Sequence, residues 1–144
     1  MKITIYTDGG SRGNPGPSAI GVAIYKENQI LKKYSEHIGK ATNNEAEYQA
    51  VIFALKKVKL LFGKKTAGQM EIEVCMDSEL IVKQINHQYK IKEESLQPFF
   101  IKVWNSIIDF GQVEFKHISR QKNKIADSLV NEALDAKQRN QTFL

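Results

Sequence analysis

β-Branched and aromatic residues crowd positions 2–8 (KITIYTD), and two glycines follow, which predicts a strand that stops at Asp8. Positions 9–17 (GGSRGNPGP) carry four glycines and two prolines and read as a turn-rich loop. The apolar run at 18–25 (SAIGVAIY) reads as a second strand, the polar turn KENQ at 26–29 ends it, and 30–38 reads as a third. Their short connections suggest an antiparallel meander. From position 42 the spacing becomes helical and stays so to about 62. Thr42 with Glu45 three residues on forms a capping box at its start. The stretch 63–68 (GKKTAG) ends that helix, and 70–76 (MEIEVCM) is a fourth strand ending at Asp77. A short helix over 78–88, a helix over 96–110 entered near Pro98 and closed by Gly111, and a fifth strand over 112–118 come next. The polar, partly basic stretch 119–124 leads into a last helix over 125–136. The order is β-β-β-α-β-α-α-β-α, an α/β pattern. Strands one, four and five lie beyond hairpin range, so crossover helices are expected to make them parallel neighbours.

At 144 residues, with 42% apolar and 26% charged residues, the chain has the size and composition of one globular domain. That domain is expected over 1–138, with a loose tail over 139–144. Disorder, collagen-like repeats and coiled coil do not fit this composition. A net charge of +5 mildly favours an anionic partner such as nucleic acid. Cys75 is the sole cysteine, which excludes an intrachain disulfide and a CxxC zinc site. It fits a reducing compartment and reads as a small buried hydrophobe. The longest apolar run, at 50–55, is far short of the ~20 residues that cross a bilayer, and no secretory stretch precedes Asp8. The expectation is a soluble cytoplasmic protein.

Several carboxylates sit at unusual places in this pattern. With Glu47 at zero and ~100° per residue, Val51, Ala54, Val58 and Leu61 fall within about 40° of it, so the acid lies inside an apolar stripe. A second capping box with Asn44 would explain it equally, although Thr42 and Glu45 form the better one. Asp8 and Asp77 both end strands; a D-G turn and a helix N-cap are their ordinary readings. Asp127 falls in the first turn of the last helix, where the macrodipole favours an acid. Taken together they say more. Sites in open α/β sheets form beyond the carboxyl ends of strands. Asp8 and Asp77 stand at two such ends, and helices entered from that edge bring Glu47 and Asp127 near. Four carboxylates without a matched cation are costly unless a divalent ion sits among them. Oxygen ligands suit Mg²⁺ or Mn²⁺ over zinc. Such ions clamp the attacking water and the leaving oxygen of a phosphodiester.

Four blocks appear in order: Thr7-Asp8-Gly9-Gly10 with Asn14-Pro15-Gly16; Thr42-Asn43-Asn44-Glu45-Ala46-Glu47-Tyr48; Asp77-Ser78; and His117 through Asn123 followed by Ala126-Asp127-Ser128-Leu129. In these blocks, from about Ile3 to about Ala136, the chain resembles the type I ribonucleases H. The resemblance implies a ribonuclease H-like fold, a five-stranded mixed sheet flanked by helices. It implies cleavage of the RNA strand of an RNA–DNA hybrid with two Mg²⁺ ions, Mn²⁺ being a substitute. It maps the catalytic, metal-binding acids onto Asp8, Glu47, Asp77 and Asp127. It assigns substrate contacts to Gly9, Ser11, Asn14, Asn43 and Asn44, amides being able to answer a 2′-hydroxyl as donor and as acceptor. Helix entry for Asn43 and Asn44, and a Pro-Gly turn for Asn14, are their plainer roles. A monomer with no protein partner and no membrane contact is expected.

The chain departs from many bacterial members in two places. Between Tyr89 and Phe110 there is no dense basic block, only Lys90, Lys92 and Lys102. The loop before Asp127 carries Arg120, Lys122 and Lys124 where many members have a mobile histidine. Arg120 is therefore a candidate substrate contact, and His117, earlier on the last strand, reads as structural. Trp104, at helical spacing from Phe100, Ile101, Ile107 and Ile108, reads as core. Three rival functions remain. A weakly catalytic binding module of the same fold would not need all four acids. A proofreading-type exonuclease would be expected to carry an acid two residues after Asp8, where this chain has Gly10. A phosphate-binding structural protein built on the GSRGNPG loop leaves Glu47 unexplained.

Overall fold

The computed structural model describes residues 1–142, with side chains through Arg139. Its elements are β1 (Lys2–Ser11), β2 (Gly16–Lys26), β3 (Gln29–Ala41), α1 (Asn43–Phe62), a single turn α2 (Lys64–Ala67), β4 (Glu71–Met76), α3 (Glu79–Ile85), α4 (Gln97–Ile107), β5 (Gln112–His117) and α5 (Lys124–Thr142). Short 3₁₀ turns precede α4 (Glu94–Leu96) and α5 (Arg120–Asn123). One five-stranded sheet runs in the order β3-β2-β1-β4-β5. β1, β2 and β3 pair antiparallel, and β4 joins β1 and β5 in parallel. This is the mixed sheet flanked by helices that the sequence pattern implies.

One face of the sheet carries Ile3, Ile5, Val22, Ile24, Ile72, Val74 and Phe115 against Tyr48, Val51, Leu55 and Val58 of α1. The other is covered over β2 by α5, through Ala19 against Val130, Ala133 and Leu134. α1 starts where predicted. Thr42 Oγ1 accepts from the Glu45 amide at 3.1 Å, and Glu45 Oε1 accepts from the Thr42 amide at 2.8 Å.

Four expectations change. β1 does not stop at Asp8; Gly9, Gly10 and Ser11 continue it, opposite Ile20, Ala19 and Ser18 of β2. A glycine pair that reads as a loop is held in the sheet by a partner strand. The predicted 9–17 loop shrinks to 12–15. α5 is longer than 125–136, and the expected tail is helical as far as Thr142; positions 143 and 144 lie outside the described residues. Trp104 is not core. Phe99, Phe100, Val103 and Ile107 supply the inward face of α4, and one residue on from Val103 the helix has turned ~100°, leaving Trp104 55% exposed. Cys75 is buried, as expected.

α5 can lie against β2 because position 21 has no side chain. A Cβ at Gly21 would stand 2.1 Å from the Ala126 carbonyl oxygen and 2.9 Å from Leu129 Cβ. Gly21 is also the residue paired with Asp8. Gly21→Ala must therefore push the first turns of α5 outward. At ~1–3 kcal/mol for overpacking, we expect Tm to fall by roughly 3–10 °C. Thermal melts followed by circular dichroism check this, and an unchanged Tm would count against the contact.

Candidate active site

Asp8 lies on β1, Glu47 on the second turn of α1, and Asp77 directly after β4. The first two are each 7% exposed and Asp77 is half-buried. One carboxylate oxygen from each of the three lies within 4.8 Å of the others. The close approach of α1 to β1 depends on Gly9, where a Cβ would fall 2.3 Å from the Ala46 carbonyl carbon and 2.5 Å from the Glu47 nitrogen. The Gly9 amide then donates to Asp8 Oδ1 at 3.0 Å and to Glu47 Oε1 at 3.2 Å, tying the pair together.

The ordinary roles open to these acids are taken by other residues. Glu45, not Glu47, completes the capping box. The N-cap of α3 is Ser78, whose hydroxyl accepts from the Ile81 amide at 3.3 Å, so Asp77 is not the cap. Asp8 is inside a strand, so it is not a turn residue. Asp127 differs. It lines the same cleft from the first turn of α5, but it is exposed and stands outside the close trio. Its Oδ2 lies 3.5 Å from Asn131 Nδ2.

The cleft holds about 510 Å³ and is rimmed by Ser11, Asn43, Asn44 and Arg120 beside the acids. Asn43 is engaged on both sides. Its Oδ1 accepts from the Ser11 amide at 2.8 Å, and its own amide donates to Asn14 Oδ1 at 2.9 Å. Asn14 thus locks the 12–15 loop to α1 and is not among the cleft-lining side chains. Asn44 Nδ2 reaches Glu93 Oε1 only at 3.4 Å, on the surface. Gly9 lines the cleft, but the space beside its Cα belongs to α1, and its N–H serves the acids. Arg120 is exposed on the turn before α5. His117 ends β5 with an exposed side chain.

Two residues at this edge escape a reading of the sequence alone. One is Gly21; a lone glycine within a strand pattern is the signal of close backbone approach. The other is Asn123, 1% exposed, whose Nδ2 donates to Asp77 Oδ2 at 3.1 Å and to the Thr7 carbonyl at 2.9 Å. Nothing in the polar stretch 119–124 announces its burial. A second cleft of about 480 Å³ opens between Tyr6, Tyr25 and the 121–125 segment, but Glu73 is its sole acid.

Burial sets the electrostatics. It raises the Asp8 carboxyl to about 7; the adjoining Glu47 carboxyl and the Gly9 amide pull it back, and the charges of Asp77 and Asp127 push it up further. Burial, and then the charge of Asp8, hold Glu47 well above the usual carboxylate range. Among the described residues no Lys or Arg pairs within 4.0 Å with Asp8, Glu47 or Asp77. Glu47 Oε2 is buried with no hydrogen-bond partner. A hard oxygen set with an unpartnered buried oxygen and no Lys or Arg paired to it among the described residues fits a divalent metal ion.

The folded pair holds its proton to higher pH than the unfolded chain, whose aspartates titrate near 4. Without metal the folded state therefore binds more protons above that pH, and the pair's contribution to stability declines as pH rises from about 4 through about 7. Asp8→Asn removes one of the two charges. In EDTA its Tm should rise relative to wild type as pH goes from 4 to 8. Melts across that range measure it, and parallel Tm profiles would contradict the coupling.

A family model described as reverse transcriptase-like matches residues 6–133. A ribonuclease HI of Halobacterium salinarum is 36% identical over 135 residues, 93% of this chain and 65% of that protein. A bifunctional protein of Mycobacterium tuberculosis is 36% identical over 138 residues, 94% of this chain. The chain spans only 36% of the length of that mycobacterial relative. Among solved structures, that of LC11-RNase H1 in complex with an RNA/DNA hybrid superposes with a TM-score of 0.89 at 48% identity, covering 94% of this chain and 99% of the other. On its fold and on the family match across most of its length, the chain belongs to the ribonuclease H-like, reverse transcriptase-like family.

Proposed function

We propose that this protein is an endonuclease that hydrolyses the RNA strand of RNA–DNA hybrids. The observation that carries the reading is the trio Asp8, Glu47 and Asp77, whose oxygens lie within 4.8 Å in a cleft edged by amides. The likeness to LC11-RNase H1, a protein solved with an RNA/DNA hybrid, supports the substrate class. Asp8, Glu47 and Asp77 would hold the metal, with Asp127 joining from the rim; we infer two Mg²⁺ ions, with Mn²⁺ as a substitute. When bound, such ions supply Lewis-acid activation of water and charge stabilisation at the leaving oxygen.

The chain's own groups do the rest. The Gly9 amide aligns Asp8 and Glu47 and leaves Glu47 Oε2 for a ligand. The surface contact of Asn44 with Glu93, at 3.4 Å, is weak enough to exchange for a ribose 2′-hydroxyl, the group that separates RNA from DNA. Ser11 and Asn43 stand beside it on the cleft rim, and Asn14 holds that rim in place. Lys90 and Lys92 share a neighbouring groove with Tyr89 and offer scattered charge to a phosphate backbone. Arg120 brings a cation to the Asp77 and Asp127 side of the cleft, where it can screen the cleaved phosphate. The domain over 1–138 acts in this reading as a monomer, and the lone cysteine fits the cytoplasm.

The test is a gel assay with labelled RNA–DNA, RNA–RNA and DNA–DNA duplexes in Mg²⁺, in Mn²⁺ and in EDTA. Only the hybrid with metal should be cut. Asp8→Asn, Glu47→Gln and Asp77→Asn should each lower turnover by at least about 100-fold, beyond the loss usual for groups that merely orient ligands. Equal cutting of hybrid and DNA duplex would overturn the substrate assignment.

Arg120→Ala should lower kcat several-fold with a smaller change in hybrid affinity. A loss confined to binding would make Arg120 a phosphate contact only.

A further inference from the structure

We infer that Asn123 is a positioning residue for the acid site, fixing the carboxylate of Asp77 against β1 at Thr7, where the pairing with β4 ends. The inference rests on the metal reading of the trio and adds a residue to it. Asn123 is 1% exposed in a segment whose neighbours Arg120, Gln121, Lys122 and Lys124 face solvent. Its Nδ2 reaches two groups that only accept, the Thr7 carbonyl at 2.9 Å and Asp77 Oδ2 at 3.1 Å. The orientation of the amide is therefore forced, because the reversed group would set oxygen against two oxygens. Thr7 is the residue before Asp8, so one side chain ties β1, the end of β4 and the turn that enters α5.

The other end of the amide argues that the donor is what matters. Asn123 Oδ1 is buried without a partner. A buried orphan acceptor is a cost to the fold that an apolar side chain of similar size would avoid. The group opposite Asp77 is also neutral. A lysine there would orient the carboxylate and cancel its charge, whereas an amide orients it and leaves the charge for a cation. Since α5 begins at the next residue, the same anchor sets the turn that carries Asp127.

Asn86 provides the control. Its Nδ2 also donates to a main-chain carbonyl, that of Phe115, at 3.0 Å, but at the other end of α3 and away from the acids. Mn²⁺ binding is measured by titration calorimetry on wild type, Asn123→Ala and Asn86→Ala, each shown to be folded by circular dichroism. Asn123→Ala should bind Mn²⁺ about 10–100-fold more weakly, and Asn86→Ala as wild type does. On hybrid, Asn123→Ala should lose kcat with KM changed by less than about 2-fold, and part of the loss should return at high Mg²⁺, as expected when metal affinity is the property lost. Asn123→Ser, which cannot reach both acceptors, should behave the same and takes the place of the alanine variant should that one not fold. Wild-type Mn²⁺ affinity in the Asn123 variants, or an equal loss in Asn86→Ala, overturns the inference. A wild type that binds no Mn²⁺ overturns the metal reading itself, and this inference with it.

Discussion

The site depends on one steric constraint, the contact of the α1 backbone with the β1 backbone at Gly9. No Cβ fits there, so the first turns of the helix press onto the strand and the Gly9 amide lies between two carboxylates. A helix set one side-chain radius further out would move Glu47 away from Asp8 and break the trio. On the opposite face Gly21 allows the same closeness for α5, and it does so at the residue paired with Asp8. Two bare positions on adjacent strands thus bring two helices to one point of the sheet edge, each carrying an acid.

The parallel pairing of β4 with β1 completes the arrangement. Thr7 lies opposite Met76, so Asp8 and Asp77 stand side by side where the parallel pairing ends, Asp8 still within β1 and Asp77 just past β4. Among the described residues no Lys or Arg pairs with the acids gathered at this edge, and burial raises the affinity of Asp8 and Glu47 for protons. In a fold chosen for stability alone, such a cluster would be paired or replaced by apolar residues. Here the neighbours orient the acids through neutral N–H donors, from Gly9 to Asp8 and Glu47 and from Asn123 to Asp77. The acids are aligned without a competing cation, which is what a cation-binding edge requires.

The cleft grades from a buried floor to an exposed rim. Asp8 and Glu47 are deep and held by backbone, while Asp127 and Arg120 stand on the exposed rim. The amides divide in the same way. Asn14 and Asn43 stitch the 12–15 loop to α1, and Asn44 faces outward with one long surface contact.

Periodicity and capping made most elements legible from the chain alone. The helix from Thr42, the alternation in the strands and Asp77 at the end of β4 are local, and local chemistry dictates them. The position of Glu47 in an apolar stripe was legible for the same reason, since 3.6-residue geometry needs no tertiary context. The tertiary structure decided what depends on a partner. Gly9 and Gly10 read as a loop, yet β2 supplies the hydrogen bonds that keep them in a strand. Trp104 shares helical spacing with apolar neighbours, but which side of α4 meets α1 is set by the packing of Val103, and Trp104 falls outside. Asn123 lies in a stretch as polar as any loop, and only the convergence of β1, β4 and α5 buries it. Composition and spacing act over a few residues, whereas burial and the partner of a polar group are properties of segments that meet only after the chain has folded.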